Sequence, residues 1–201
     1  MSRPDLIIFD LGHVLVDFDF KKVVRNLQRY SPLTEKEIRH YFAHTPLWDR
    51  FERGRMTPRD FFKSLQNDLK LKGLTFEAFE PLWNRIFWEK ADTVAILRRL
   101  RGRYRLAMLS NVNVMHWEHI RTHHAFMAWF DVPIPSYAVG HRKPDPEIYR
   151  LTLERAGISP ARALFIDDVP GHVRAAQAVG IRGLQFLSAV KLLRDLDGIL
   201  E

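Results

Sequence analysis

The sequence predicts an α/β fold with a doubly wound parallel sheet, and two kinds of segment support this prediction. Short apolar runs that favour β-structure occupy positions 6–9, 106–109 and 163–166. Such runs are typical of parallel strands that are covered on both faces. Segments with helical periodicity separate these runs, which gives the alternating order of a βα fold. The chain is therefore expected to form a Rossmann-like core.

The predicted strands all lead into polar residues. The first run is followed by Asp10, the second by Ser110 and Asn111, and the third by Asp167 and Asp168. In open parallel sheets, ligands bind beyond the carboxyl ends of the strands, near the point where the strand order reverses. These three strand ends therefore predict one functional site at a single edge of the sheet.

Helical periodicity and two glycines define the rest of the core. Gly157 and Gly180 directly follow periodic segments, at positions where glycine commonly ends a helix. The predicted core helices cover residues 93–100, 146–156 and 172–179, and a last strand at 183–187 precedes a last helix at 190–196.

Residues 18–90 differ from the rest, because they contain several amphipathic stretches and no convincing strand. Thr34 and Glu37 have the spacing of a capping box at the start of one stretch. The predicted helices cover residues 21–30, 35–42, 59–69 and 76–88. We interpret this segment as a helical cap inserted into a core that consists of residues 1–17 and 91–201.

Several conspicuous side chains receive a structural interpretation. Asp17 and Asp19 are expected to cap the first helix of the inserted segment. The large aromatic residues of the cap are expected to form its apolar core, namely Trp48, Phe51, Trp83 and Trp88. A group of histidines at helical spacing is interpreted as a helix surface rather than a zinc site, because no thiolate or carboxylate completes it: His116, His119, His123 and His124.

The composition indicates an ordinary globular protein. The 201 residues are 46% hydrophobic, which is enough for one core with an insertion. The chain has no cysteine, no signal-peptide pattern and no apolar stretch approaching the roughly 18 residues of a membrane span. We therefore expect a cytoplasmic protein without a membrane partner. The formal charge of +7 is spread along helix-like segments, so nucleic-acid binding is not expected, and the oligomeric state is not indicated.

Four short segments carry the functional prediction. They are Phe9-Asp10-Leu11-Gly12, Ser110-Asn111, His141-Arg142-Lys143-Pro144 and Asp167-Asp168. In this order and spacing they resemble the motifs of the haloacid dehalogenase-like hydrolase superfamily, in particular its phosphatases with a helical cap inserted after the first motif. The resemblance covers essentially the whole chain. Phosphoryl transfer needs an aligned nucleophile, charge neutralisation and a metal, which these residue types supply.

The resemblance implies a role for each of these residues. Asp10 would be the nucleophile that forms an aspartyl-phosphate. The Ser110 hydroxyl and the Asn111 backbone amide would bind the phosphoryl group, and Lys143 would pair with Asp10 and with the phosphoryl charge. The implied Mg²⁺ ligands are Asp10, the backbone carbonyl of Gly12, and Asp168 as the direct ligand of the aspartate pair, with Asp167 binding through water or orienting Lys143.

The chain departs from the family pattern at Gly12. Most phosphatases of this family carry a second Asp at that position, where it acts as general acid and base. The Gly12 carbonyl is still able to bind a metal, but the proton-transfer role is in doubt. Histidine side chains commonly transfer protons in enzymes, so the adjacent His13 is one candidate for that role. It completes the predicted substrate-binding set of Gly12, His13, Ser110, Asn111 and Lys143.

Three functions are compatible with these residues. The first is a Mg²⁺-dependent phosphatase of a small phosphorylated metabolite, and the resemblance favours a sugar phosphate such as glucose 1-phosphate. The second is a 2-haloacid dehalogenase, against which the Asp167-Asp168 pair argues, because dehalogenation needs no cation and adjacent carboxylates repel without one. The third is a catalytically impaired protein that binds a phosphorylated metabolite without hydrolysing it.

Overall fold

The computed structural model describes residues 3–200 and contains a five-stranded parallel sheet. The strands are β1 (Leu6–Phe9), β2 (Val16–Phe18), β3 (Phe87–Glu89), β4 (Arg105–Ser110), β5 (Val132–Pro135), β6 (Ala163–Asp167) and β7 (Arg182–Gln185). The order in the large sheet is β5-β4-β1-β6-β7, and all its neighbours pair in parallel. The predicted doubly wound fold class is confirmed, with β1 at the centre of the sheet.

Helices cover both faces of this sheet. They are α1 (Phe20–Gln28), α2 (Glu35–His44), α3 (Leu47–Glu52), α4 (Pro58–Asp68), α5 (Phe76–Asn84), α6 (Ala91–Leu100), α7 (Val114–His123), α8 (Ser136–Val139), α9 (Pro146–Ala156), α10 (Pro170–Ala178) and α11 (Ala189–Leu200). Two 3₁₀ turns lie at Ala125–Trp129 and Pro160–Arg162. Between residues 3 and 200, no helix combines the length and hydropathy that crossing a bilayer requires.

The apolar side chains of β1 divide between two cores. Successive side chains of a strand point to opposite faces of the sheet. Ile7 and Phe9 accordingly belong to one buried cluster, and Leu6 and Ile8 belong to another. Each of these four side chains is completely buried, so β1 is fixed from both faces and Asp10, which follows it, has a rigid support.

The helices α1 to α5 enclose a third apolar cluster of their own, which contains Leu27, Phe61, Phe79 and Trp83. This separate core supports our proposal that residues 18–90 form the inserted cap. The cap helices begin at the predicted signals. Asp19 accepts a hydrogen bond from the Lys21 amide at the start of α1, and Thr34 with Glu37 forms the capping box of α2.

Several local predictions are wrong. The helix predicted over 76–88 ends at Asn84, and residues 87–89 form β3, which pairs antiparallel with β2. The prediction that the inserted segment contains no strand is therefore incorrect. Trp88 does not belong to the cap core, because the alternation along β3 leaves 46% of it exposed. Asp17 does not cap α1, since its carboxylate binds the Phe18 amide and His13 instead.

Another prediction that fails concerns His116, which is buried and does not lie on a helix surface. Its ring stacks on Trp83 with a centroid distance of 5.2 Å. Nε2 donates to the carbonyl of Trp83 at 3.3 Å, and Nδ1 accepts from the amide of Asn113 at 3.0 Å. This pairing requires a neutral imidazole, and burial lowers the pKa of His116 to about 3.

We expect this buried histidine to make the fold sensitive to acid. Below the unfolded-state pKa near 6.5, the unfolded chain takes up a proton that native His116 does not, so the stability that His116 contributes is present above pH 6.5 and declines as the pH falls. The contribution of His116 to the free energy of unfolding changes by up to about 1.4 kcal/mol per pH unit. Urea titrations between pH 7.5 and 4.5 should therefore show that the free energy of unfolding depends less steeply on pH in His116→Gln than in the native chain. An equally steep dependence in both would contradict the assignment of this effect to His116.

Candidate active site

Three neighbouring strands bring the predicted residues to one edge of the sheet. Asp10 follows β1, Ser110 ends β4 and Asp167 ends β6, and β1 lies between β4 and β6. The Asp10 amide donates to the carbonyl of Ile166 at 2.9 Å, which extends the β1–β6 ladder through the nucleophile candidate. All three side chains are buried or nearly so. The common edge that the sequence predicts is therefore present in the fold.

Lys143 lies between two carboxylates. Its Nζ is 2.7 Å from Asp10 Oδ1 and 2.6 Å from Asp167 Oδ2, and its side chain is 1% exposed. The amide side chain of Asn111 fixes the backbone of this lysine, because Oδ1 accepts from the Lys143 amide at 2.7 Å and Nδ2 donates to the Lys143 carbonyl at 2.8 Å. Asn111 therefore has a positioning function that the sequence did not reveal.

The pKa values of the buried residues Asp10, Asp167 and Lys143 are shifted in different directions. Burial raises the pKa of Asp10 to about 7, although the Lys143 ammonium opposes this shift. Burial also acts to raise the pKa of Asp167, but Lys143 and the His172 ring outweigh it and hold that pKa below its ordinary value. For Lys143, burial is outweighed by the two carboxylates, so its pKa is raised. The lysine is therefore charged, and Asp167 is its more strongly ionised partner.

Asp168 supplies a further carboxylate without a protein cation of its own. Its backbone carbonyl accepts a hydrogen bond from the Gln185 side chain, and no lysine, arginine or histidine among the described residues forms an ion pair with its carboxylate. Burial and the adjacent Asp167 raise the pKa of its carboxyl group. The Lys143 ammonium thus contacts Asp10 and Asp167, and Asp168, which directly follows Asp167, adds a third carboxylate at the strand ends. Hard oxygen ligands with an excess of negative charge fit a divalent cation such as Mg²⁺.

His172 is a site residue that the sequence reasoning missed. It lies in the first turn of α10, and its Nδ1 is 3.1 Å from both carboxylate oxygens of Asp167. Atoms of Asp10, Asp167 and His172 that are capable of binding a metal lie within 4.8 Å of one another. Lys143 Nζ contacts the same two carboxylates, so we assign His172 to the orientation of Asp167 rather than to metal binding. Its position five residues after Asp167 is the only sequence signal for this role.

His13 lies at the rim of the site. Its backbone has a φ of 56°, in the left-handed region, and its Nδ1 is 2.7 Å from Asp17 Oδ1. Half of the side chain is exposed, at 49%. The ring also packs on Phe18 with a centroid distance of 4.5 Å. The pairing with Asp17 directs Nδ1 away from the Asp10–Lys143 pair, so only the other ring nitrogen is free to face a substrate.

Polar contacts hold α3 of the cap against the core beside Lys143. Arg142 contacts Asp49 Oδ1 at 3.0 Å and Glu52 Oε2 at 2.7 Å. The Ser136 hydroxyl donates to the backbone carbonyl of Glu52 at 2.6 Å. Burial raises the pKa of Glu52 even though Arg142 opposes the shift. The structure therefore shows the cap docked on the strand ends.

A cavity of about 80 Å³ lies between the docked cap and the strand ends, and we call it the cap–core cavity. Its core wall includes Gly12, Ser110 and Asn111. A larger open groove of about 890 Å³ lies near Asp5 and Arg105, at the amino ends of the strands. We assign the reaction to the smaller cavity, because ligands of parallel sheets bind at the carboxyl ends and the buried charges lie there.

Comparison with known proteins agrees with this geometry. The family model for haloacid dehalogenase-like hydrolases matches residues 4–180. The chain belongs to the haloacid dehalogenase-like hydrolase family. In this haloacid dehalogenase-like hydrolase, Asp10, Ser110 and Asp167 lie at the carboxyl ends of β1, β4 and β6, and Lys143 lies in the loop between α8 and α9.

The haloacid dehalogenase-like hydrolase has full-length relatives with two different substrates. It is 29% identical to the sesquiterpene phosphatase astK of Aspergillus oryzae, with 94% of this chain and 93% of that protein covered. It is also 29% identical to D-ribitol-5-phosphate phosphatase of Bacteroides thetaiotaomicron, with 97% and 98% covered. A solved enzyme of the same family from that bacterium, in complex with magnesium and inorganic phosphate, has a TM-score of 0.82 at 25% identity, covering 90% of this chain and 93% of its own.

Proposed function

We propose that this hydrolase is a Mg²⁺-dependent phosphatase that cleaves a small phosphate monoester through an aspartyl-phosphate on Asp10. The observation that carries the proposal is the buried contact of Lys143 with both Asp10 and Asp167, next to Ser110 at the adjacent strand end. The two full-length relatives named for phosphatase activity and the neighbour that holds magnesium and phosphate support it.

The proposed reaction has two steps. An Asp10 carboxylate oxygen attacks phosphorus while the bond from phosphorus to the leaving oxygen breaks, and the leaving oxygen, which departs with negative charge, takes up a proton from water to give the alcohol. Water then attacks the phosphorus of the aspartyl-phosphate, which releases inorganic phosphate and regenerates the carboxylate. Asp10 Oδ1 accepts from the Leu11 amide at 2.6 Å and from Lys143, so Oδ2 is the oxygen that we assign to the attack.

The other residues serve to neutralise charge. The Ser110 hydroxyl and the Asn111 backbone amide donate to phosphoryl oxygens, and the Lys143 ammonium compensates the charge that develops on them. Asp167 and Asn111 hold this lysine from its two ends, through its ammonium and its backbone. Preorganisation of this kind removes the cost of reorienting the groups during the reaction.

We assign the Mg²⁺ ligands to Asp10, the Gly12 carbonyl and Asp168, with Asp167 contributing through water. A bound Mg²⁺ would supply additional neutralisation of the phosphoryl oxygens. Asp167 already receives Lys143, the Val169 amide and His172, so its remaining capacity for a direct metal bond is small. Asp168 has no such partners among the described residues and is therefore the better direct ligand.

The relatives support two different substrate classes for this site. The ribitol phosphate phosphatase agrees with a phosphorylated polyol, the class to which the glucose 1-phosphate expectation belongs, whereas the sesquiterpene phosphatase agrees with the ester of an apolar alcohol. For either class we propose a phosphate monoester as the reacting group. The proposed chemistry is therefore independent of the choice between them.

A direct assay separates the proposed function from its alternatives. Purified protein with Mg²⁺ is incubated with p-nitrophenyl phosphate or with 2-chloropropionate, and released phosphate and chloride are measured. A phosphatase releases phosphate alone. Chloride release would establish a dehalogenase, and binding of inorganic phosphate without turnover of the ester would establish the impaired binding protein. Either result would contradict our proposal.

Gly12 leads to a prediction about the leaving group. Without a carboxylic acid at this position, the leaving oxygen departs with more negative charge, so kcat/KM is expected to fall as the pKa of the leaving alcohol rises. A general acid contributes roughly 10²–10⁴-fold. Gly12→Asp should make kcat/KM depend less on the leaving-group pKa, because it adds a carboxylic acid that is able to protonate the leaving oxygen. The site has room for this side chain, since a Cβ at Gly12 would meet only Phe18 Cε1, at 3.4 Å. The measurement is kcat/KM across phosphate monoesters of graded leaving-group pKa.

The matched variant for this series is His13→Ala. We expect kcat/KM to fall as steeply with leaving-group pKa in His13→Ala as in the native chain, because Asp17 binds Nδ1 of His13 and the ring lies at the rim of the site. A flat dependence in the native chain would show that some group does donate the proton. If the dependence becomes steep only in His13→Ala, that group is His13.

A further inference from the structure

The cap–core cavity is lined by polar and apolar residues of the core and by aromatic residues around the cap. Gly12, Ser110 and Asn111 form part of the core wall, next to the proposed phosphoryl site. The lining also includes aromatic side chains from the cap and its two joining strands, namely Phe18, Phe20, Trp48 and Phe87. A leaving group attached to a phosphoryl group beside Ser110 would thus face mainly aromatic surface.

Most polar side chains of this cavity already have partners. The amide of Asn111 is used at both ends by the Lys143 backbone. Both ring nitrogens of His116 are occupied, by Asn113 and by the carbonyl of Trp83. Ser110 is assigned to the phosphoryl group. A polyol in this cavity would therefore lose hydrogen bonds to water without replacing them, at a cost of about tenfold in affinity for each bond.

Glu52 is the only acidic residue that lines the cap–core cavity. Its carboxylate pairs with Arg142 at 2.7 Å, and Arg142 also binds Asp49 of α3. These contacts keep the aromatic wall over the strand ends while the cap is docked. The negative charge of Glu52 also disfavours a second phosphate or a carboxylate on the leaving group.

We infer that the leaving group of the substrate is a compact apolar alcohol, so that this enzyme prefers alkyl or prenyl monophosphates to sugar and polyol phosphates. This inference rests on the proposed phosphatase function and narrows its substrate class. Apolar surface that the substrate buries against Trp48 and Phe20 supplies the binding energy. The same surface rejects hydroxyl-rich groups, because their hydroxyls are desolvated without new partners.

The test compares 3-methylbutyl phosphate with ribitol 5-phosphate in the native enzyme. Both are esters of primary alcohols, and the neighbouring hydroxyls make the polyol the more acidic leaving group. Electronic effects alone therefore favour ribitol 5-phosphate. We expect kcat/KM to be at least about tenfold higher for 3-methylbutyl phosphate. Equal values, or a preference for ribitol 5-phosphate, would overturn the inference.

A pair of tryptophan variants identifies the wall that is responsible. Trp48→Gln places an amide on the cavity wall, whereas Trp88→Gln makes the same change on the exposed face of β3, outside the cavity. The preference for 3-methylbutyl phosphate should fall about tenfold in Trp48→Gln and stay unchanged in Trp88→Gln. An unchanged preference in a folded Trp48→Gln would contradict the inference. Because the native comparison needs no variant, the inference stays testable even if Trp48→Gln does not fold.

The proposed function and this inference fail in different ways. If p-nitrophenyl phosphate, 3-methylbutyl phosphate and ribitol 5-phosphate are all inert in the presence of Mg²⁺, the phosphatase function itself is wrong. If p-nitrophenyl phosphate is hydrolysed and the alkyl ester shows no advantage over the polyol ester, only the apolar leaving group is wrong.

Discussion

Replacing Asp10 by Asn is expected to lower kcat for phosphate release by roughly 10³-fold or more, while the fold is retained. The amide has nearly the shape of the carboxylate but is a far poorer nucleophile. The fold should tolerate the change, because Asp10 is buried at a cost and Lys143 keeps its contact with Asp167 at 2.6 Å. The measurements are kcat with p-nitrophenyl phosphate and the midpoint of thermal unfolding.

The matched control is Asp195→Asn, which makes the same chemical change on α11, where Asp195 pairs with Lys191. This variant should keep native activity. Residual turnover above a few per cent in Asp10→Asn would remove Asp10 from the nucleophile role. A large loss of activity in Asp195→Asn would show that the assay reports stability rather than chemistry.

Removal of divalent metal is expected to have the next largest effect. Lys143 contacts the carboxylates of Asp10 and Asp167, and Asp168 adds a third carboxylate after β6, so a chelator should abolish activity and added Mg²⁺ should restore it. Asp168→Asn should raise the Mg²⁺ concentration needed for half-maximal activity by about tenfold or more, because the metal loses a charged ligand. The measurement is a Mg²⁺ titration of phosphate release in chelator-treated protein.

The Asp195→Asn variant again serves as the control, and its Mg²⁺ requirement should match that of the native chain. Full activity in excess chelator would contradict the metal assignment and would favour the dehalogenase alternative. An unchanged Mg²⁺ requirement in Asp168→Asn would move the direct ligand to another carboxylate, with Asp167 as the next candidate.

The arrangement at the strand ends was predictable because it depends on local patterns. Asp10, Ser110 and Asp167 each follow an apolar run, and parallel strands necessarily present their carboxyl ends at one edge. The helices of the proposed cap were equally predictable, since several of them begin with capping residues such as Thr34. Chain order and local signals are sufficient for features of this kind.

Features that depend on distant contacts were not predictable. The helical spacing of the histidines predicts a polar helix surface for His116, whereas its burial depends on Trp83, which lies 33 residues earlier in the chain. The strands β2 and β3 have three residues each, and each forms its antiparallel ladder with the other, about seventy residues away in the chain. The strand β5 contains Pro133 and Pro135, which obscure its strand character, and an edge position tolerates them.

The docking of the cap was hidden for the same reason. Arg142 lies next to Lys143 in the sequence, and nothing in its neighbourhood indicates pairing with Asp49 and Glu52 about ninety residues away. The aromatic character of the cap was visible in the sequence. The assignment of Trp48 to the cavity and of Trp88 to the surface required the structure.

The central claim is that Asp10 becomes covalently phosphorylated during turnover. Native protein with Mg²⁺ and p-nitrophenyl phosphate is quenched in acid within the first turnover, digested and analysed by mass spectrometry. We predict a phosphoryl group on Asp10 that decays as inorganic phosphate appears and that is absent from Asp10→Asn. A phosphoryl group on His13 or Ser110, or phosphate release in the first turnover without any phosphorylated peptide, would contradict the claim.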